Sequence, residues 1–142
     1  MAAVISGHSH QPRADWKGGI LYLNPGSAGP RRFALPVTVS VMHASGEEQR
    51  HSLALDDRSR TFALPCEAAP RWVSVDPEGA LLAKVTSSVP AAMLREALAG
   101  DPRALVRWRA AASLARHDDE LSVAALERAL RDDAFWGVSA EA

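Results

Sequence analysis

Residues 101–142, DPRALVRWRAAASLARHDDELSVAALERALRDDAFWGVSAEA, constrain the fold more than any other stretch of the chain. Asp101 is suited to cap a helix and Pro102 to open one, because a proline's missing N–H costs nothing in the first turn. Leu105, Trp108, Ala112 and Ala115 recur at i, i+3, i+7 and i+10, which is one face of a helix. Asp118 and Asp119 break the chain and cap it again. Val123, Leu126 and Leu130 form a second apolar stripe, flanked by Glu127 and Arg131 at i, i+4. Asp133 is expected to open a third helix, with Phe135, Trp136 and Val138 packing on Leu126 and Leu130. A sheet cannot use such a pattern, so this end of the chain is expected to be helical.

The helices also repeat. Val106-Arg-Trp-Arg-Ala110 aligns with Val138-Ser-Ala-Glu-Ala142, 32 residues later. Two helices per unit, the first rich in alanine and anchored by valine, imply a HEAT-like helical repeat that works as a docking scaffold. The expected partner is a protein or a catalytic domain packing on that repeat. One further helix is expected near residues 90–99, with Leu94, Ala97 and Leu98 apolar and Gly100 at its stop.

Upstream the periodicity changes. Val37, Val39 and Val41 alternate with Thr38 and Ser40, the period-2 pattern of a half-buried strand. Ser45-Gly46-Glu47 reads as a turn, and residues 49–55 alternate again. Asp56-Asp57-Arg58 is a second turn, followed by a strand at 60–64. Residues 65–70 read as a linker and 71–75 as a strand. Asp76-Pro77-Glu78-Gly79 is a strong turn signal, and residues 81–85 could close the unit. The expected fold is therefore α+β. It comprises an irregular leader over 1–34, a small antiparallel β-sandwich-like sheet over 35–87, and HEAT-like repeats over 88–142.

Composition narrows the functional classes. A net charge of −1 and no run of arginines argue against a nucleic-acid or anionic-membrane surface. Cys66 is the only cysteine, which rules out an internal disulfide and a thiolate metal cluster. No apolar run reaches the roughly 20 residues of a membrane span, and residues 1–10 lack the layout of a signal peptide. A cytoplasmic location is the expectation.

The motif with the clearest chemistry is Gly7-His8-Ser9-His10-Gln11-Pro12. Histidines at i, i+2 in an extended segment reach opposite sides and so can serve two adjacent metals, for which neutral imidazole is a common ligand. A short strand, Ile20-Leu-Tyr-Leu23, follows, then Asn24-Pro25-Gly26-Ser27 and Pro30-Arg31. Together these motifs resemble the C-terminal end of the calcineurin-like metallophosphoesterases, over about residues 4–32. The resemblance implies that His8 ligates one ion of a binuclear site and His10 the other. The family's remaining ligands, in D-x-H, G-D and G-N-H motifs and a further histidine, lie upstream of G-H-x-H, where this chain has only seven residues. Two imidazoles do not make a two-metal clamp. The expectation is no cofactor and no tightly bound metal, with His8 and His10 in a loop that at most takes up a divalent ion (manganese or zinc) weakly, and no phosphodiesterase activity from these residues alone.

A second resemblance covers roughly residues 35–142. Val37-Thr-Val-Ser-Val41, Arg60-Thr-Phe-Ala-Leu-Pro65, Pro70-Arg-Trp-Val-Ser-Val-Asp-Pro-Glu-Gly79, Arg107-Trp-Arg-Ala-Ala-Ala112 and Asp133-Ala-Phe-Trp-Gly-Val138 are similar to the C-terminal half of aminopeptidase N-like zinc metallopeptidases. In that family the region is a small β-sandwich followed by helical repeats beside the catalytic domain. The zinc motif H-E-x-x-H does not occur here, and His43, His51 and His117 lie in no such motif, so no zinc ligand carries over. The chain thus reads as the tail of one enzyme family joined near Arg32 to an internal piece of another, stopping at Ala142 inside a helix.

Three functional readings follow. The first is a non-catalytic interaction or domain-packing module. The second is a metal-dependent phosphoesterase, or a remnant of one, using His8 and His10. The third is an accessory segment of a split aminopeptidase. No catalytic residue is assigned. Trp72, Trp108, Phe135 and Trp136 are expected in cores. Asp118, Asp119, Glu120, Asp132 and Asp133 are expected to cap helices, Cys66 to be inert, and Ser27 to belong to a turn.

Overall fold

A computed structural model describes residues 2–5, 13–17, 20–24, 36–54, 61–81 and 84–142, and for the first three of these stretches the backbone. The chain divides into two compact units, residues 1–90 and 91–142.

The first unit is built of strands: β1 (Ala2–Ile5), β2 (Arg13–Lys17), β3 (Ile20–Asn24), β4 (Pro36–Met42), β5 (Glu48–Ala54), β6 (Ala63–Pro65) and β7 (Trp72–Val75). They form two sheets. One has the order β2-β3-β1-β6, with β1 parallel to β3 and the other pairs antiparallel. The other is antiparallel throughout, in the order β5-β4-β7. The leader, expected to be irregular apart from a short strand at 20–23, therefore contributes three strands, of which β3 is the expected one. Its alternation is obscured by short length and by the parallel pairing of β1, which no local sequence signal announces.

β4 is central in its sheet and buries Val37, Val39 and Val41, all at 1% exposure or less. The β4–β5 hairpin closes as the sequence predicts. Gly46 takes φ 86° and donates its N–H to the His43 carbonyl, a conformation that glycine adopts without a Cβ penalty. After β7 the chain turns at Asp76, a non-glycine residue at φ 48°. Its buried carboxylate accepts hydrogen bonds from the N–H groups of Ala80 (2.8 Å) and Leu81 (3.2 Å), which fixes the turn. The closing strand expected at 81–85 is not seen at 84–85, and residues 82–83 lie outside the described set.

The second unit has four helices: α1 (Ala91–Gly100), α2 (Ala104–Leu114), α3 (Glu120–Asp132) and α4 (Trp136–Glu141). α1 packs on α2 and α3, and α4 packs on α2 and α3. The helices lie where the sequence puts them, but their faces do not. α2 buries Val106, Ala110, Ala111 and Leu114, not the stripe Leu105, Trp108, Ala112 and Ala115. Trp108 is exposed, its indole N–H donating to Glu141 Oε2 at 2.7 Å. α3 buries Ser122 and Ala129, whereas Val123 and Leu130 of the expected stripe face solvent. The inward faces of α2 and α3 carry mostly small side chains, Ala110, Ala111, Ser122 and Ala129, beside Val106 and Leu114.

Helix ends show the same mix of agreement and correction. Asp119 caps α3, accepting from the Ser122 N–H at 3.0 Å. Asp101 does not cap α2, which begins two residues beyond Pro102. Its buried carboxylate instead accepts from the Arg103 N–H at 2.9 Å and pairs with the Arg103 guanidinium. Asp133 does not open a helix by itself. It ends α3, and its carboxylate accepts from the Phe135 N–H at 2.8 Å in the connection to α4.

Candidate functional site

The residues flanking the histidine motif are placed by the first sheet. β1 ends at Ile5, which is in register with Leu23 of the parallel β3. The next residue, Asn24, is opposite Arg13, the first residue of β2. Ile5, Arg13 and Asn24 therefore gather at one end of the sheet, the end at which both parallel strands finish. In sequence, Gly7-His8-Ser9-His10-Gln11-Pro12 connects Ile5 to Arg13, and Asn24 begins Asn-Pro-Gly-Ser. The carboxyl ends of parallel strands are where open sheets most often bind ligands, because chain segments leave the sheet there and can be varied without disturbing its ladder. His8, His10, Ser27 and Arg31 lie outside the described residues.

Two imidazoles are suitable donors for manganese or zinc, but divided between two ions they would give each only one nitrogen. Among the described residues no group of three histidine, cysteine, aspartate or glutamate side chains comes together to complete such a site. The donor set in this sequence fits the metal centre in part only.

The other titratable groups have structural partners. His43 Nε2 is 3.1 Å from Gln49 Oε1 beside the hairpin turn. His51 of β5 is partly buried opposite Val39 of β4, its Nε2 without a hydrogen-bond partner, and burial together with nearby His43 lowers its pKa. Cys66 is buried, and that burial raises its thiol pKa, the opposite of what a nucleophile needs. The Ser122 hydroxyl, the Ser122 N–H and Arg95 hold the Asp119 carboxylate below its ordinary range, as a cap requires.

One charged cluster went unnoticed in the sequence. Arg107 forms a two-point ion pair with Asp133, Nε to Oδ2 at 2.8 Å and Nη2 to Oδ1 at 3.0 Å. Its Nη1 donates to the Asp101 and Pro102 carbonyls at 2.9 and 3.1 Å. The hydrogen bond from Arg107 holds Asp133 below the usual carboxylate range, and Asp133 in turn raises Arg107. The partners are 26 residues apart, so no local periodicity reveals them. With every strong donor engaged, the cluster is a clamp between α2 and the end of α3 and offers no open ligand site.

Comparison with known families bears on the N-terminal end. Residues 1–47 match the family model of the calcineurin-like phosphoesterase superfamily domain. The matched stretch is about one third of the chain, and it runs past Arg32 into β4 and the hairpin turn. No curated protein matches the chain. The comparisons lend no support to the aminopeptidase likeness of residues 35–142. Among the described residues no helix is long and apolar enough to cross a membrane.

Proposed function

We propose that this chain contributes the C-terminal ligands of a calcineurin-like metallophosphoesterase site, His8 to one divalent ion and His10 to the other. The match of residues 1–47 to that family carries the reading. The gathering of Ile5, Arg13 and Asn24 at the carboxyl end of β1 and β3 supports it. A bound pair of ions would polarise phosphoryl oxygens and acidify a water molecule. The part played by this chain is to hold two neutral imidazoles at a fixed sheet end. D-x-H and G-N-H occur nowhere in the sequence, and its one Gly-Asp pair, Gly100-Asp101, lies at the end of α1 with the Asp101 carboxylate paired to Arg103, so on this reading the 142 residues alone bind metal weakly and turn over no phosphodiester. Titration of the chain with manganese, followed by loss of the free-ion paramagnetic resonance signal, tests the reading. Binding that weakens in both His8→Ala and His10→Ala supports it; binding indifferent to both rejects it. Manganese-dependent hydrolysis of bis(p-nitrophenyl) phosphate, lost in either variant, would show a complete enzyme and reject the incomplete site.

A second reading concerns residues 91–142. α1 contacts α3 and α2 contacts α4, so like helices stack, and the aligned Val106 and Val138 are both buried. Leu121, Leu130 and Trp136 are more than half exposed. These observations favour a HEAT-like interaction module over residues 91–142, with a protein partner on the helices. The accessory segment of a split aminopeptidase is one form of this reading. Co-purification of a defined complex that Leu130→Ser or Trp136→Ser disrupts would test it; a chain that stays monomeric and partnerless would count against it.

A further inference from the structure

The apolar stripe that periodicity nominates in α3 faces solvent, and the same side of the helix carries opposite charges at its two ends. Val123 is 44% exposed and Leu130 56%, two turns apart along that side. Glu127 lies between them, and Glu120 and Arg131 bound the same side, so the five residues fall within an arc of about 100°. The helix packs on α1, α2 and α4 through its other side, where Ser122 and Ala129 are buried. Among the described residues Glu120 has no hydrogen bond or ion pair. Arg131 has a 3.9 Å contact with Glu127 in which both side chains are more than half exposed. A pair so solvated contributes little and exchanges readily for another.

Turned end over end, this face is complementary to itself. A two-fold axis across the helix sets α3 antiparallel to α3 of a second copy and makes every contact twice. Val123 then lies against Leu130 of the second copy, and Glu120 against its Arg131. Both pairings need the same register to within about half a helical turn. A parallel pair would instead set Glu120 against Glu120 and Arg131 against Arg131, like against like. We propose that the exposed side of α3 is a homodimer surface, on which a second copy of this chain docks antiparallel. Val123 and Leu130 supply its apolar centre, and the Glu120–Arg131 pairs at its two ends set the direction. This deepens the interaction-module reading of residues 91–142 and rests on it, naming the partner as a second copy. One face of a 13-residue helix is smaller than a standard interface, so the dimer is weak, with a dissociation constant on the order of tens of micromolar. Leu121 is 65% exposed but lies on the opposite flank of α3 from Val123 and Leu130, and it serves as the internal control.

The experiment is sedimentation equilibrium of the full chain over about 5–500 µM, where wild type should show a monomer–dimer equilibrium. Leu130→Ser should weaken the dimer about tenfold or more, because its apolar contact is lost twice. Leu121→Ser should leave it within about twofold, as that side chain stays in water in the dimer. Glu120→Arg and Arg131→Glu should each weaken self-association about tenfold, since each sets like charges together at both ends. An equimolar mixture of these two variants should associate at close to wild-type strength, because opposite charges meet again at both ends. Far-UV circular dichroism of each variant separates lost pairing from lost folding. If a charge reversal unfolds the helices, the contrast between Leu130→Ser and Leu121→Ser decides. Wild type that stays monomeric throughout, a dimer that Leu130→Ser leaves intact, or a charge-variant mixture that stays apart overturns the proposal. So does an equal loss in Leu121→Ser. The wider module reading falls separately: a monomeric chain that loses a defined complex with another protein on Leu130→Ser overturns self-pairing alone, and a chain that forms neither complex overturns both.

Discussion

β4 and α2 are each flanked by packed neighbours, yet only β4 buries the residues its sequence pattern nominates. Val37, Val39 and Val41 alternate, and all three are buried. In α2 the nominated stripe of Leu105, Trp108, Ala112 and Ala115 gives way to Val106, Ala110, Ala111 and Leu114. A strand has two faces, so one valine triplet settles the choice. A helix rich in alanine has several candidate stripes that differ little in apolar area. Long-range contacts then decide its rotation. Here the Arg107–Asp133 pair ties α2 to the end of α3, whose buried side chains are Ser122 and Ala129.

This contrast makes the largest predicted effects differ by region. Trp72, at 2% exposure on β7, should cost about 3–5 kcal/mol when replaced by alanine. Trp136, at 77% exposure, should change stability by no more than about 0.5 kcal/mol. Urea unfolding of the two variants checks the pair. A Trp136→Ala loss as large as that of Trp72→Ala would restore the stripe reading and break the contrast.

The clamp comes next. Removing one partner of a largely buried ion pair strands the other, so Arg107→Ala and Asp133→Ala should each cost about 3 kcal/mol, at the lower end for such pairs. The double variant should cost less than the two losses combined, and strict additivity in the double-mutant cycle would show that the pair does not set the rotation of α2. The same pair sharpens the comparison through pH. The folded pKa of Asp133 lies below its ordinary 3.8, so its contribution is present in full above that value. It is lost as pH falls through the folded pKa. Asp133→Asn should therefore flatten the acid limb of a urea-midpoint profile. For His51 the folded pKa lies below 6.5, so the β unit should lose stability as pH drops from 6.5 towards the folded value, and His51→Gln should remove that slope.

The smallest predicted effect is at the α3 cap. Asp119→Ala should cost about 1 kcal/mol, and Asp119→Asn markedly less, because an amide oxygen still accepts from the Ser122 N–H. Thermal unfolding would measure both.

What the sequence makes legible follows from how far apart the deciding residues are. The α+β succession, the Gly46 turn, the Asp76 turn and the limits of α1 rest on neighbours a few residues apart, and all were readable. The pairing of β1 with β3 and β6 and the Arg107–Asp133 clamp join residues far apart in the chain, and neither was. The aromatics divide in the same way. Trp72 is core, as its strand pattern predicts, whereas Trp108 and Trp136 lie on exposed helix positions that periodicity alone placed inside. The candidate site shows both cases. His8 and His10 stand out through a local motif, while the gathering of Ile5, Arg13 and Asn24 at one sheet end shows only in the strand register.

The most direct test of the metal site is paramagnetic broadening of backbone amide resonances during a manganese titration. Ile5, Arg13 and Asn24, brought together at one sheet end, should broaden first, and the effect should vanish in the His8→Ala/His10→Ala double variant. Broadening centred on the His43–Gln49 hairpin or on Asp118, Asp119 and Glu120, and unchanged in the double variant, would contradict the account.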